Sequence, residues 1–489
     1  MTLSTSARQT PGHSSSSVTS KALQGAAALG GRQVVVHSFN ILGSIVLARL
    51  LSPGDFGVYA IVVFLIQFLA TFGGTGLACN LIRVPDAPSD HDYHAVFTMQ
   101  QAILAVLVCL LWTCSGFIVR FYHLPHHYVW LFRMAAASLF VTSFMVVPQI
   151  RLERELAFSR LAAIEIWQAA VFNISSVTFA WLGWGGMAFA VALLGRSLTG
   201  ALAAYWVEPW KIFWTWDWPR ARTHLGFGLF YQSSQIISMF KDSLTPLMIG
   251  YLVGVAGIGF ISWSSMLASY SGTLLAVLQR LYLPAFSRLQ HEPRELAKLV
   301  ERAILATNSV AAPVAVITLI LIHSITSVVF GVKWLAAVPI FYLFWFANLL
   351  APTSVPVLGL LNALGKSRLT FSFIALWAVL NWALGAPLVL WLGPAGVGWA
   401  AIGVQLSNLA LFPIAQRALG FKIWRPVLPP WILAAVCALP VAALQHWRPA
   451  GNLASLAGYT LLCALLYGSA LFLCYSRELK ATFRVFRQA

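Results

Sequence analysis
The chain has 489 residues, 59% of them hydrophobic and only 9% charged, and its mean hydropathy is +0.79. That composition belongs to a multi-span membrane protein and excludes a soluble fold. A net charge of +17 does not signify nucleic acid here, because its distribution follows a membrane: with a cytoplasmic N-terminus, inner loops and tails hold 24 of the 31 Lys and Arg residues. The outer loops hold Arg120, Lys333 and Arg448, and Arg49, Arg133, Arg196 and Lys241 lie within or at the edges of spans.

In chain order, the Ser-rich residues 1–31 lack the features of a cleavable signal. They read as a mobile cytoplasmic tail leading into a short surface helix. A span needs about 20 apolar residues, and fourteen such stretches can be placed, the first centred near Gly43, the seventh and eighth near Met239 and Tyr270, the last near Ala464. The first ends in LARLLSPGDFG, where Pro53 and Gly54 make a tight outer turn. Arg49 beside that turn either snorkels to the interface or meets an anionic group at a cavity mouth.

Segment 2 exits through an acidic inner loop with Asp86, Asp90 and Asp92, whose spacing matches no metal site; an outer loop later carries His123, His126 and His127, either a pH-sensitive or metal-catching loop or an ordinary one within the aromatic belt. QIRLERELAFSR reads as an amphipathic helix on the inner surface. Arg196, in the middle of segment 6, costs about 2.5–3.5 kcal/mol on insertion scales and needs a partner or water. The inner loop EPWKIFWTWDWPRARTH reads as anchored among lipid headgroups by its tryptophans and basic residues. Pro246 marks a kink in segment 7 and a candidate hinge. The six cysteines fall in or beside spans without disulfide or metal spacing.

The chain also repeats itself. An offset of 202 pairs residues 33–60 with 235–262, aligning Gln33 with Gln235, Asn40 with Asp242, Phe56 with Ile258 and Gly57 with Gly259. In the first copy Gln33, His37, Asn40 and Ser44 stand at i, i+4, i+7 and i+11, one polar stripe on an apolar helix. Gln232, Gln235, Ser238, Asp242 and Thr245 repeat it. Such stripes turn away from lipid, either to bond helix to helix or to line a shared cavity. The expected fold is an all-α polytopic membrane protein with about fourteen transmembrane helices. Two pseudo-symmetric six-helix lobes, 32–207 and 224–417, are joined by a cytoplasmic linker, 208–223. Segments 13 and 14 (427–474) and a basic tail (475–489) follow.

In order along the chain, LARLLSPGDFGVYA, GLACNLIR, RLERELAFSRLA, GYLVGVAGIGF, LYLPAFSRLQ, FGVKW and NALGKSR resemble stretches of polysaccharide-export flippases. These belong to the multidrug/oligosaccharidyl-lipid/polysaccharide exporter superfamily. The resemblance spans about residues 21–421. It implies a bacterial inner-membrane transporter, not an enzyme, with both termini cytoplasmic. It implies a cargo of polyprenyl-pyrophosphate-linked oligosaccharide, moved by alternating access for O-antigen, capsule or exopolysaccharide synthesis. No cofactor beyond a coupling ion (H+ or Na+) is expected. The expected partners are the lipid-linked oligosaccharide, membrane lipids and polymerase or export proteins.

On that reading Arg49, Arg196 and Lys241 attract the pyrophosphate. Gln33, His37, Asn40, Ser44, Gln232, Gln235 and Asn408 line the sugar and water path, and Asp242 is the ion-coupling carboxylate or a partner for Arg196. Relatives carry D-x-L-L-I-G in segment 7, where this chain has Thr245-Pro246-Leu247-Met248-Ile249-Gly250, so its carboxylate stands nearly one turn earlier. The competing reading is an ion-coupled drug antiporter of the same superfamily, which would favour carboxylates in its cavity. A membrane glycosyltransferase, polymerase or ligase is a further reading, but the outer loops here are too short to form its catalytic domain. A non-transporting scaffold for export proteins is separable only by assay.

Overall fold
The computed structural model describes residues 15–74, 81, 88–217, 239–240, 245–273, 282 and 285–488, with backbone alone for 15–30 and 476–488 and at a few single positions. Gln232, Gln235, Lys241 and Asp242 lie outside the described residues. Within them the chain is helical and holds no strand. Among the described residues twelve helices are long and apolar enough to cross a membrane. They match every expected segment but the seventh and eighth, the two interrupted by undescribed residues. Of these, α8 (Val255–Thr273) supplies part of the eighth.

The first half contains α1 (Ser15–Leu50), α2 (Pro53–Gly74), α3 (Asp90–Phe121), α4 (Val129–Ser143), α5 (Val146–Arg154), α6 (Phe158–Trp181) and α7 (Met187–Val207). The LSPGDFG motif is a helix start with a physical rationale. Ser52 caps α2, its hydroxyl and backbone N–H both donating to Asp55 Oδ2 at 2.7 and 2.9 Å, with Pro53 in the first turn. The other Asp55 oxygen accepts from Tyr128 Oη at 2.9 Å and from the Gly186 N–H at 2.8 Å. One carboxylate thus ties together the starts of α2, α4 and α7. Ser89 and Asp92 repeat the capping box at the start of α3.

Three expectations are corrected. The expected surface helix is continuous with segment 1, α1 running unbroken from Ser15 with no proline to interrupt it, while residues 1–14 of the expected tail lie outside the described residues. RLERE is no free surface helix but the end of the fourth span, offset at Phe144–Met145 and stopped where Leu156 takes a positive φ of 56°. Arg151 there pairs with Asp90, so the acidic loop neutralises it. The linker after α7 does not rest wholly among headgroups: Trp210 is buried on Phe97 and stacked on His94, and Thr215 N–H donates to Thr98 at 3.0 Å. Trp214 and Trp216 remain exposed, as an interfacial anchor requires.

The second half contains α8, α9 (Pro293–Ser324), α10 (Val338–Ala347), α11 (Ala351–Ala363), α12 (Ser367–Leu392), α13 (Pro394–Leu406) and α14 (Leu411–Leu419). α15 (Trp424–Trp447) and α16 (Leu453–Gln488) follow and pack on α9. Trp431 Nε1 donates to Asn308 Oδ1 at 2.8 Å and Tyr467 Oη to the Ser309 carbonyl at 2.9 Å, fixing both added helices to that half.

The apolar cores reveal how the halves meet. Where α1 ends and α2 begins, one core runs through both, from Leu47, Leu51, Val58 and Phe132 to Ile258, Trp263, Trp334 and Phe341. At the opposite end each half has its own: Tyr93, Phe97, Ile150 and Trp210 in one, Phe286, Val300, Leu361 and Phe412 in the other. Among the described residues the two halves share a core at one end and keep separate cores at the other.

Candidate functional site
The seal is built from backbone contact and helix-end capping. Gly57 of α2 faces Gly259 of α8 so closely that a Cβ on Gly57 would lie 1.7 Å from the Val255 carbonyl oxygen, and one on Gly259 would lie 1.9 Å from that of Pro53. Both contacts obey the 202-residue offset, so the pseudo-two-fold axis passes between these glycines. Around them the second half caps the last carbonyls of α1. Lys333 Nζ donates to the Arg49 and Leu51 carbonyls at 2.9 and 2.6 Å, and Trp334 Nε1 to that of Ala48 at 2.9 Å. Arg49 answers in the other direction, donating to the Val328 and Val329 carbonyls. Tyr122 Oη donates to the Pro246 carbonyl at 3.1 Å, and burial pushes its phenol up to about 12, so the proton for that bond stays in place.

Beneath this latch lies a cavity of about 660 Å³, within the range of small-molecule sites. Its lining runs down α2 from Phe56 to Thr71, a rise of about 22 Å. Phe56, Tyr59, Phe172, Phe189 and Trp263 form its latch end, with Tyr59 stacked on Phe189 at 4.0 Å. Asn40, Ser44, Gln67, Thr71, Asn173 and Arg196 make the rest polar. Arg196 is the charged residue of this lining among the described residues, and no described carboxylate stands within ion-pair distance of it. A second chamber of about 560 Å³ adjoins it, sharing Ala60, Phe64, Ser262 and Met266. Its polar lining is Ser262, Ser265, Ser269 and Asn381, and no described charge enters it.

The structure thus gathers Asn40, Ser44 and Arg196 into one cavity, and brings Pro246 to the wall of the second chamber. Pro246 sits in a π-helical turn, Thr245–Ile249, the irregularity expected where a proline removes a ladder hydrogen bond. Gln33 and His37 are not part of either lining and bond each other at 2.9 Å, beside the Arg32–Glu165 ion pair. Arg49 is committed to the latch. Asn408 does not line either chamber: it is buried in the 3-10 turn Ser407–Ala410 and donates to Gln405. Sequence reasoning missed Gln67, Thr71 and Asn173, although Ala60, Phe64, Gln67 and Thr71 share one face of α2 at helical spacing. Asn173 is held by a bond to Asn40 at 3.1 Å. Among the described residues no group of His, Cys, Asp or Glu is arranged to hold a metal.

Comparison with known proteins places this architecture. A family described as polysaccharide biosynthesis protein matches residues 46–339, more than half of the chain. The succinoglycan biosynthesis transport protein ExoT of Rhizobium meliloti is 22% identical over 68% of this chain and 67% of its own. The lipopolysaccharide biosynthesis protein WzxC of Escherichia coli is 21% identical over 85% of each. Among solved structures, the lipid II flippase MurJ in an inward closed conformation superposes with a TM-score of 0.70 at 12% identity, over 93% of this chain and 99% of that one. An inward-facing multidrug resistance MATE transporter of the MOP superfamily gives 0.52 at 17% identity, over 79% and 94%. These likenesses are of fold. This multi-pass membrane protein belongs to the polysaccharide biosynthesis protein family.

Proposed function
We propose that the protein is a flippase for a polyprenyl-pyrophosphate-linked oligosaccharide in a bacterial inner membrane, with both termini cytoplasmic. The observation that carries this reading is Arg196, a cation halfway along α7 in a cavity whose described lining has no carboxylate. Such a cavity attracts an anion. A pyrophosphate needs that help to pass about 30 Å of hydrocarbon, while amides and hydroxyls replace water around the sugars. The drug-antiporter alternative needs acidic groups for organic cations, and the described lining offers none. The names of ExoT and WzxC, a transport and a lipopolysaccharide protein, agree with the flippase reading.

On this topology the latch is periplasmic, and the cargo enters from the divided, cytoplasmic end. Alternating access then consists of parting Gly57 from Gly259 while the cytoplasmic halves close. Pro246, whose carbonyl is itself held by the latch, is the proposed hinge. Lys241 and Asp242 are kept as a further phosphate contact and as the H+ or Na+ site. The working partners are the lipid-linked oligosaccharide and bilayer lipids, with polymerase or export proteins downstream. The test is deletion of the gene, followed by mass spectrometry of lipid-linked oligosaccharides with a membrane-impermeant label. Accumulation of one species facing the cytoplasm, with surface glycan reduced, is the expected result. Unchanged amount and sidedness in a strain without a redundant exporter overturns it in favour of an antiporter or scaffold.

A further inference from the structure
Arg133 is a second intramembrane cation, and it lies outside the cavity. It stands on α4 four residues after Val129, about 6 Å inside the helix start at the latch end. Its guanidinium carbon is 5.5 Å from the Trp112 ring and 5.2 Å from the Trp130 ring, and its Nε donates to Ser115 Oγ at 3.3 Å. No carboxylate among the described residues pairs with it. The two indoles open to the surface of the molecule, 40% and 55% exposed. On the span assignment that surface faces lipid toward the latch-side ends of α3 and α4, where interfacial tryptophans sit.

Two ring faces and one hydroxyl do not complete this guanidinium. The rings stabilise its charge through their quadrupoles, and Ser115 engages Nε. Its two terminal nitrogens have no acceptor among the described residues, and they form the fork that binds phosphate oxygens in bidentate fashion. The bilayer supplies phosphates at this depth. A phosphatidylethanolamine phosphate is offset by its own amine, whereas a phosphatidylglycerol phosphate is not, so a lone cation gains more from the second. We propose that Arg133, Trp112 and Trp130 form a binding site for an anionic phospholipid in the leaflet at the latch end, its phosphate on the guanidinium edge and its acyl chains along α3.

Native mass spectrometry of the purified full chain, exchanged into equal phosphatidylglycerol and phosphatidylethanolamine, tests this. Wild type is expected to retain one phosphatidylglycerol that Arg133→Ala loses, with selectivity falling about fivefold, the worth of one interfacial basic residue. Arg120→Ala, which removes an exposed cation at the end of α3, is expected to keep it. If Arg133→Ala fails to accumulate, the Trp112→Leu, Trp130→Leu pair gives the same reading while keeping the cation, again with reduced retention. Equal retention of both lipids by wild type overturns the site. So does unchanged phosphatidylglycerol in Arg133→Ala or in the tryptophan pair. Loss with Arg120→Ala equal to that with Arg133→Ala reduces the effect to general surface charge and overturns it too.

Discussion

The two chambers differ in chemistry although the halves that build them are related by repeat. The one built mainly by the first half has Arg196 with amides from Asn40, Gln67 and Asn173; its neighbour has hydroxyls from α8 and the Asn381 amide, with no described charge. At the latch the halves have not diverged: Gly57 and Gly259 meet under one offset, each needing the absence of a Cβ. The lesson is where a duplicated chain is free to change. Contact across the pseudo-symmetry axis ties each position to its own copy, so a side chain added to either half collides with the other. Cavity walls a few helical turns away carry no such mutual constraint, and there, among the described residues, the first half carries a cation and the second does not.

The sharpest way to break the symmetric part is to add bulk at the axis. Gly57→Leu or Gly259→Leu is expected to abolish transport, because even the Cβ would sit 1.7 or 1.9 Å from a backbone oxygen that cannot yield without parting the helices. Cysteine placed at Ser52 should then react with a membrane-impermeant maleimide far faster than in wild type, at unchanged expression.

The asymmetric part breaks at Arg196. Losing a hydrogen bond to a charged group costs about 1.5–3 kcal/mol, so Arg196→Ala should reduce flipping in proteoliposomes by between about tenfold and a hundredfold, while Arg196→Lys retains much of it. Thermal stability should hold in both, since no described ion pair is broken. Equal transport in wild type and Arg196→Ala would remove the cation from the mechanism.

The reciprocal caps come next. Lys333→Ala and Arg49→Ala each remove donors from carbonyls at exposed helix ends, worth about 0.5–1.5 kcal/mol per bond. Each should raise maleimide access at the latch several-fold without closing the cavity to cargo. Their combined effect should differ from the sum, because both act on one contact between the end of α1 and the second half.

Much of this was legible before the structure. The all-helical, multi-span architecture and the mid-helix position of Arg196 follow from hydropathy and spacing, because a bilayer forces apolar helices and penalises a lone cation. The stripe on α1 was half informative. A 100° periodicity identifies the face shared by Gln33, His37, Asn40 and Ser44, but not the height at which the opposing helices diverge; Asn40 and Ser44 reach the cavity, and Gln33 and His37 satisfy each other. Asn408 carries an amide like those of the stripe, but in the 3-10 turn Ser407–Ala410 that amide donates to Gln405 three residues earlier and not into either chamber. Arg49 carried a charge beside a turn, which is equally the signature of a phosphate contact and of a helix cap. Only the partner, 280 residues away in sequence, distinguishes them.

The smallest effect probes the uncharged chamber. Ser265 lines it as one hydroxyl among three on α8, and a neutral hydrogen bond there contributes about 0.5–1.5 kcal/mol if a sugar accepts it. Ser265→Ala should therefore lower the apparent affinity for lipid-linked oligosaccharide by no more than about tenfold, with the maximal rate and the latch unaltered. The informative comparison is Ser265→Arg. If pyrophosphate is held by Arg196 and sugar by α8, a cation in the second chamber gives the phosphate a competing seat, and turnover should fall although binding does not. If turnover is instead unchanged, charge is not what distinguishes the two chambers, and their difference would have to lie in shape.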